Sequence, residues 1–331
     1  MPDLSIIVPV YQVEHYIRPC IESLYKQGLE EKRFEVIIVN DGTKDRSMDM
    51  IADFIQQHSN ITIINHTQNL SLSVARNTGI AAAKGEYILM PDSDDLLIDN
   101  SLSALLDIAL ETQVDLVVAD FLSINDEDVD NFPGVVQDDF SYQEKTGNRL
   151  FLEDLIPHQC YVWRTLYRRL FLLHHQICFI PGINFQDVPF THECYLKAQR
   201  CIKANWLFYI YRLGRSGAST TYFSVEKARS FSIAIANTWK LRQIPSLSPD
   251  ILYKLEESVY CSFSIMVYHT IHSIKNSSER KEVATILRSE IPNIRFSHGF
   301  RQKLTSFMIR RMPYLYLEMY YYYGRIAYRS R

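Results

Sequence analysis

Tyr87-Ile88-Leu89-Met90-Pro91-Asp92-Ser93-Asp94-Asp95 begins apolar and ends acidic. The apolar run follows Gly85-Glu86, is short, and reads as a buried strand. Three carboxylates arrive where that strand should end. A hard divalent cation takes oxygen ligands, often one or two carboxylates plus substrate phosphates. Asp92 and Asp94, with one residue between them, can face one cation from a single turn. A solvated acidic turn ahead of the next helix fits the same triplet, so the residues around it decide.

Working outward, residues 4–10 are a continuous apolar run, as in a strand buried on both faces. Ile17, Ile21, Leu24 and Tyr25 follow at helical spacing, with Gly28 as a stop. Residues 34–39 form a second apolar strand ending in Asn40-Asp41-Gly42, and residues 61–64 a third. Between strands three and four, residues 73–83 read as a helix with Ser73 as its N-cap. A helix over 101–112 and a strand over 114–121 complete the run. The alternation predicts an α/β fold: a Rossmann-like, mainly parallel sheet with helices on both faces. Ligands of such sheets sit at the carboxyl ends of the strands. Tyr11, Asp41, Asp92 and Asp94 all fall there. Neither GxGxxG nor GxxxxGK[ST] occurs, so a dinucleotide fingerprint and a P-loop are unsupported.

The 331 residues have room for one large domain plus an appendage. A net charge of -3 gives no global field toward nucleic acid. The 6 cysteines form no CxxC pair, which predicts reduced thiols in a cytoplasmic protein and argues against structural zinc. Met1-Pro2-Asp3 runs straight into a strand, so no signal peptide is expected. No apolar run reaches the ~18 residues of a membrane span.

Five pieces stand in order: Ile7-Val8-Pro9-Val10-Tyr11; Val36-Ile37-Ile38-Val39-Asn40-Asp41-Gly42 with Asp45; Ala75-Arg76-Asn77-Thr78-Gly79; Gly85-Glu86-Tyr87-Ile88; and Asp92-Ser93-Asp94-Asp95. Together they resemble glycosyltransferase family 2, the inverting sugar-nucleotide transferases of GT-A fold, of the bacterial polysaccharide-biosynthesis type. The resemblance is dense over residues 4–121, thin to about 222, and absent beyond. It implies a donor site holding Pro9, Tyr11, Asp41, Arg76, Asp92 and Ser93. Tyr11 would pack against the base, where stacking is worth ~1–3 kcal/mol. Asp41 would accept the N3–H of uracil, although a turn former beside Gly42 fits as well. Arg76 would reach base or diphosphate, or lie as an ordinary helix residue. Asp94, with Asp92, would ligate Mn²⁺ or Mg²⁺, a Lewis acid for the charge on the departing diphosphate; Asp95 is a secondary candidate. Asn77 and Gly79 are assigned to helix packing. The chain departs from the family at Gln12, where Asn is usual, at Ser71, where Gly is, and in the loop Gly42-Thr43-Lys44-Asp45.

An inverting transfer needs one carboxylate to take the acceptor hydroxyl's proton. The family sets it at a helix start about a hundred residues after the metal motif. Phe185-Gln186-Asp187-Val188-Pro189-Phe190 fits, with Asp187 as the base and Gln186 where the family has Glu. Asp187 also fits an N-cap two residues before Pro189. Glu193 is a reserve and His192 a weaker one. Residues 161–171 read as a helix whose Trp163 either stacks on a sugar or belongs to the core. Arg215 and Ser216 lie in a Gly-rich loop suited to closing over a diphosphate, or in a plain surface loop. Residues 125–139 read as a mobile acidic loop.

The tail from 294 carries eight arginines and lysines and one acid, Glu318. Phe300, Leu304, Phe307 and Met308 share one helical face, and Leu315, Met319 and Tyr322 another. This is the pattern of a helix lying on an anionic membrane surface; a packed appendage or a homodimer interface fits it equally. The expected division is 1–121 for the nucleotide-sugar half, 122–222 for the acceptor half, and 223–331 for a helical region. The expected function is metal-dependent transfer of a hexosyl or N-acetylhexosaminyl group, from a UDP-sugar as first guess, to a glycan or lipid-linked acceptor. The expected location is cytoplasmic, peripheral on the inner face of the membrane. The alternatives are an idle sugar-nucleotide-binding or scaffold protein and a nucleotidyltransferase, which lacks its usual glycine- and lysine-rich phosphate loop here.

Overall fold

The computed structural model describes residues 1–157, 159–215 and 222–329, with side chains to 323. The chain divides into two compact units. The first holds Met1–Glu153, Tyr161–Gly182 and Cys194–Ser216; the second holds Asp154–Cys160, Ile183–Glu193 and Gly217–Arg331.

The first unit is built on strands β1 (Leu4–Val10), β2 (Phe34–Asn40), β3 (Ile61–Asn65), β4 (Tyr87–Leu89), β5 (Leu96–Leu97), β6 (Leu116–Asn125), β7 (Ser141–Lys145), β8 (Thr165–Arg168) and β9 (Cys201–Leu213). They form one sheet in the order β3-β2-β1-β4-β8-β6-β9-β5, with β7 on β9. β3, β2, β1 and β4 are parallel, as the alternating pattern predicts. Past β4 the sheet is mixed: β8 runs antiparallel to both β4 and β6, while β6 and β9 are parallel. Beyond Ile6, β4 no longer pairs with β1, which lets Pro9 stand in a strand without an N–H.

The helices of this unit are α1 (Ile17–Tyr25), α2 (Ala52–Gln57), α3 (Leu72–Ala82), α4 (Leu102–Thr112), α5 (Asp126–Val129), α6 (Gly147–Glu153) and α7 (Arg169–His174). Pro19 lies in the first turn of α1, where a missing N–H breaks no helical bond. α3 lies close on β1: a Cβ at Gly79 would meet Ile7 Cγ2 at 2.2 Å. Asn77 clasps the backbone of Phe179, accepting from its N–H at 2.9 Å and donating to its C=O at 2.8 Å. The core gathers Ile6, Val8, Ile38 and Leu89 of the sheet with Ile21, Leu105 and Leu106 of the helices.

Three local expectations are corrected. α3 begins at Leu72, so Ser71 and not Ser73 holds the N-cap position, without a capping side-chain bond. Residues 161–171 are no single helix: a 3-10 turn over Val162–Arg164 leads into β8, then α7. Wedging Thr165–Arg168 between two strands overrides the helical spacing. The acidic stretch after 125 opens as α5, anchored through Asp126.

The helix α8 (Asp187–Lys197) opens in the second unit, which also holds α9 (Val225–Lys240), α10 (Pro249–Ser273), α11 (Ser277–Glu290), α12 (Gly299–Arg311) and α13 (Pro313–Arg329). Capping residues mark three of these starts. Ser224 accepts from Lys227 N–H, Ser248 from Ile251 N–H ahead of Pro249, and Asn276 from Ser278 N–H. Phe231, Ile235, Leu255, Val259, Phe263, Val283 and Leu287 are buried between the helices.

Candidate donor and metal site

Parallel register sets the ends of β2, β1 and β4 along one rim of the sheet. Tyr11 follows β1, Asp41 follows β2, and Asp92, Ser93, Asp94 and Asp95 follow β4. Among the described residues, Asp92, Asp94 and Asp95 bring carboxylate oxygens within 4.8 Å of one another.

Each of the three acids is held differently. Asp92 Oδ1 pairs with Arg76 Nη2 at 2.5 Å, from α3. Asp94 pairs with Arg215, which lies just past β9. Asp95 is pinned: Tyr209 Oη donates to Oδ2 at 2.8 Å, and the Arg212 N–H to Oδ1 at 2.8 Å. The same Tyr209 oxygen accepts the Asp92 N–H at 3.0 Å, so one hydroxyl ties both ends of the acidic turn. Arg212 also donates to the Asp94 carbonyl at 2.9 Å and to Asp126 at 2.7 Å. Tyr16 donates to Asp126 at 3.1 Å, and the Arg212 and Arg215 guanidiniums lie 5.0 and 5.6 Å from its ring centre.

This crowding has an electrostatic cost. Loss of solvation holds the Asp92 carboxyl above its ordinary value; Arg76 opposes that shift and Asp94 adds to it. Loss of solvation, then Asp94 and Asp92, holds Asp95 well above. A hard cation would relieve the repulsion, and an all-oxygen donor set suits Mg²⁺ or Mn²⁺. Asp92 and Asp94 would be the ligands of such a cation, since Asp95 already spends both oxygens on the protein. Arg76 Nε is buried with no hydrogen-bond partner among the described residues, which leaves it free for a polar ligand.

Asp41 is 2% exposed and already holds three donors. His66 Nδ1 at 2.7 Å and the Leu70 N–H at 2.9 Å reach Oδ1, and the Ser71 N–H at 3.0 Å reaches Oδ2. Its visible work is to fasten residues 66–71, the approach to α3. Gly42 permits the close contact: its φ is +67°, and a Cβ there would lie 2.8 Å from Gln68 Cα. The Tyr11 ring is 40% exposed at the same rim, whereas Ser93 is buried. Two of the three family departures fall on strained backbone. Gln12 has φ 53° and Ser71 φ 96°, conformations that favour the Asn and Gly usual there.

Trp163 is 2% exposed and stacked parallel to Tyr209 at 4.1 Å and Tyr161 at 4.7 Å, so it is a core residue. Ser216 lies outside the described residues. Sequence reading missed Tyr16 and His66. It placed Tyr209 and Arg212 in the thin part of the resemblance and Asp126 in the acidic loop, without the contacts that give them their parts; each is made across more than ten residues of chain.

In the second unit Asp187 opens α8. Phe185, two residues before, has φ 59°, an outlier for a bulky side chain, and its ring stacks on Phe231 at 4.0 Å. The Gln186 amide oxygen is buried with no hydrogen-bond partner among the described residues. His192 is fully buried, within hydrogen-bond reach of the Val188 carbonyl at 2.7 Å and Ser258 Oγ at 2.6 Å; burial pushes its pKa down to about 4. It is a neutral structural residue.

Known proteins of similar sequence are glycosyltransferases. The uncharacterized glycosyltransferase EpsJ of Bacillus subtilis is 34% identical over 223 residues, 64% of this chain and 61% of EpsJ. Glycosyltransferase GlyA of Streptococcus pneumoniae is 30% identical over 66% of this chain, a match that spans 32% of GlyA. In three dimensions, residues 1–349 of S. aureus TarS in complex with UDP-GlcNAc superpose with a TM-score of 0.72 at 20% identity, covering 98% of this chain and 92% of that one. The mannosyltransferase PcManGT of Pyrobaculum calidifontis, solved with GDP-Man and Mn2+, gives 0.55 at 13% identity, covering 98% and 88%. At those identities the likeness concerns the fold alone, which is GT-A. The profile of Glycosyl transferase family 2 matches residues 5–172, just over half of the sequence, and the chain belongs to that family.

Proposed function

We propose that the chain is a metal-dependent inverting glycosyltransferase. It moves a hexosyl or N-acetylhexosaminyl group from a UDP-sugar to a hydroxyl of a glycan or lipid-linked acceptor. Residues 1–121 supply the donor half and residues 122–222 the acceptor half with the base. Asp187 takes the acceptor hydroxyl's proton. The freed electron pair attacks the anomeric carbon from the face opposite the diphosphate. The bond to the phosphate oxygen breaks and its pair leaves with the nucleoside diphosphate, so one displacement inverts the centre. Asp94 and Asp92 would hold Mn²⁺ or Mg²⁺, which would supply positive charge against the departing group. Tyr11 offers its exposed ring to the base, Arg76 and Arg215 are cations for the diphosphate, and Asp41 orders the loop before α3.

The carboxylate cluster at the end of β4 carries this reading. The UDP-GlcNAc bound by TarS favours a UDP-sugar, and the Mn2+ in the mannosyltransferase favours a cation. Among the described residues no disulfide joins the cysteines, which agrees with a reducing, cytoplasmic setting. A thermal-shift series with UDP-sugars and GDP-sugars, with and without Mn²⁺, tests it. A donor that binds only the folded chain raises its melting temperature. The expected shift needs both UDP-sugar and cation and disappears in Asp94→Ala. No shift with any donor, or one indifferent to cation and to Asp94, would refute the reading.

A further inference from the structure

Helix α12 is turned inside out. A surface helix ordinarily buries its apolar stripe and shows water its polar side. The inward face of α12 is instead largely polar: Gln302, Thr305 and Ser306 are buried beside the single aliphatic Ile309. Gln302 donates to Glu257 at 2.6 Å, and Ser306 Oγ accepts the Phe296 N–H at 2.7 Å. Outward, at positions i, i+4 and i+7, stand Phe300, Leu304 and Phe307, with Phe300 83% exposed. Lys303, Arg310 and Arg311 are exposed among them. On the adjoining α13, Leu315, Met319 and Tyr322 repeat the spacing and are also exposed, Tyr322 to 57%.

The charge is sorted as deliberately as the apolar surface. Glu318 is the one acid from residue 294 to 331. It is turned inward, onto Arg280 of α11, at 2.7 Å to Nε and 3.1 Å to Nη2. The outward face therefore carries apolar rings and positive charge and no carboxylate. Water is a poor partner for such a face. A second protein surface would supply apolar contact and a mixture of charges. An anionic bilayer supplies an acyl boundary for the rings and phosphates for the lysine and arginines at one depth. No described helix is long and apolar enough to cross a membrane, so the contact is interfacial.

We propose that the outward face of α12 and α13 docks on an anionic phospholipid surface. The side chains of Phe300, Leu304 and Phe307 enter the acyl boundary, while Lys303, Arg310 and Arg311 lie among the headgroup phosphates. This goes beyond the transfer reaction and does not depend on it. Flotation of the full chain with vesicles tests it. Phosphatidylcholine vesicles containing phosphatidylglycerol are compared with phosphatidylcholine alone. The wild type should float with the anionic vesicles only, and added salt should release it. Phe300→Ser with Phe307→Ser, and separately Lys303→Glu with Arg310→Glu, should each lower recovery at least about tenfold. These side chains are exposed, so unchanged melting temperatures confirm the variants as folded. Three results would overturn the proposal: equal recovery with both vesicle types, variants that float like wild type, or a concentration-dependent dimer that the variants abolish without any vesicle binding by the wild type. Donor-induced melting shifts on the same samples read the transferase separately.

Discussion

The rim after β4 and the head of α8 both present carboxylates, yet they treat charge in opposite ways. The rim crowds three acids together and offsets them with Arg76 and Arg215. At the head of α8, the residue beside Asp187 is an amide, and His192 is buried and neutral. Crowded charge prepares a place for a cation and a polyphosphate. In the proposed mechanism the head of α8 takes up a proton instead. The two sites thus differ in what would complete them, and mutations should separate them.

The largest effect should come from Asp94→Ala. Turnover should fall about a thousandfold, while the cation-free protein melts no lower than wild type, because a like charge has left the cluster. A large fall in cation-free stability would break the contrast, making the rim a structural ion-pair site. Next, Asp187→Asn should lower kcat by roughly a hundredfold and leave donor binding within about twofold. Loss of donor affinity instead would move Asp187 out of the base's role. A third test concerns His192. Its folded pKa of about 4 lies below the ordinary 6.5, so the unfolded chain binds the extra proton between those values. Stability should therefore be full above 6.5 and fall as the pH drops toward 4. The loss is on the order of 3 kcal/mol. Lys254 nearby adds to the depression and Ser258 accompanies it. Denaturant titrations across that window should show the slope, and His192→Gln should flatten it.

The smallest effect compares strain. Ser71 at the rim and Phe185 before α8 both have positive φ. Ser71→Gly should stabilise by about 1 kcal/mol, since glycine adopts that backbone freely. The gain is net of a hydroxyl contact with the Gly182 N–H at 3.2 Å. Phe185→Gly should destabilise, because it also removes the ring stacked on Phe231. Paired melting curves would read both signs.

Much of the parallel half was legible in the sequence. β1, β2 and β4 are buried apolar runs, and burial on both faces leaves such runs few alternatives; β3, at the sheet's edge, is half-exposed and was legible from its β-branched residues instead. The later sheet was harder to read. β8 is four residues long and holds its place through two neighbours, a fact absent from its own residues. Site residues inside motifs could be named in advance. Tyr209 and Arg212 stood only in the thin part of the resemblance, and their hold on Asp95 was not legible, because it arises when β9 carries them to a turn more than a hundred positions earlier. Asp41 was legible as important, although its bonds to Leu70 and Ser71 show first a fastening of the chain.

The inward turn of Glu318 reaches beyond its own helix. Arg280 lies on α11, a helix with no part in the lipid-facing surface, yet it decides the sign that surface shows. Arg280→Met would strand the carboxylate and drive it toward solvent, placing a negative charge among the tail's cations. A single exchange at a hidden position would weaken adhesion to anionic lipid from behind, with every exposed residue left intact.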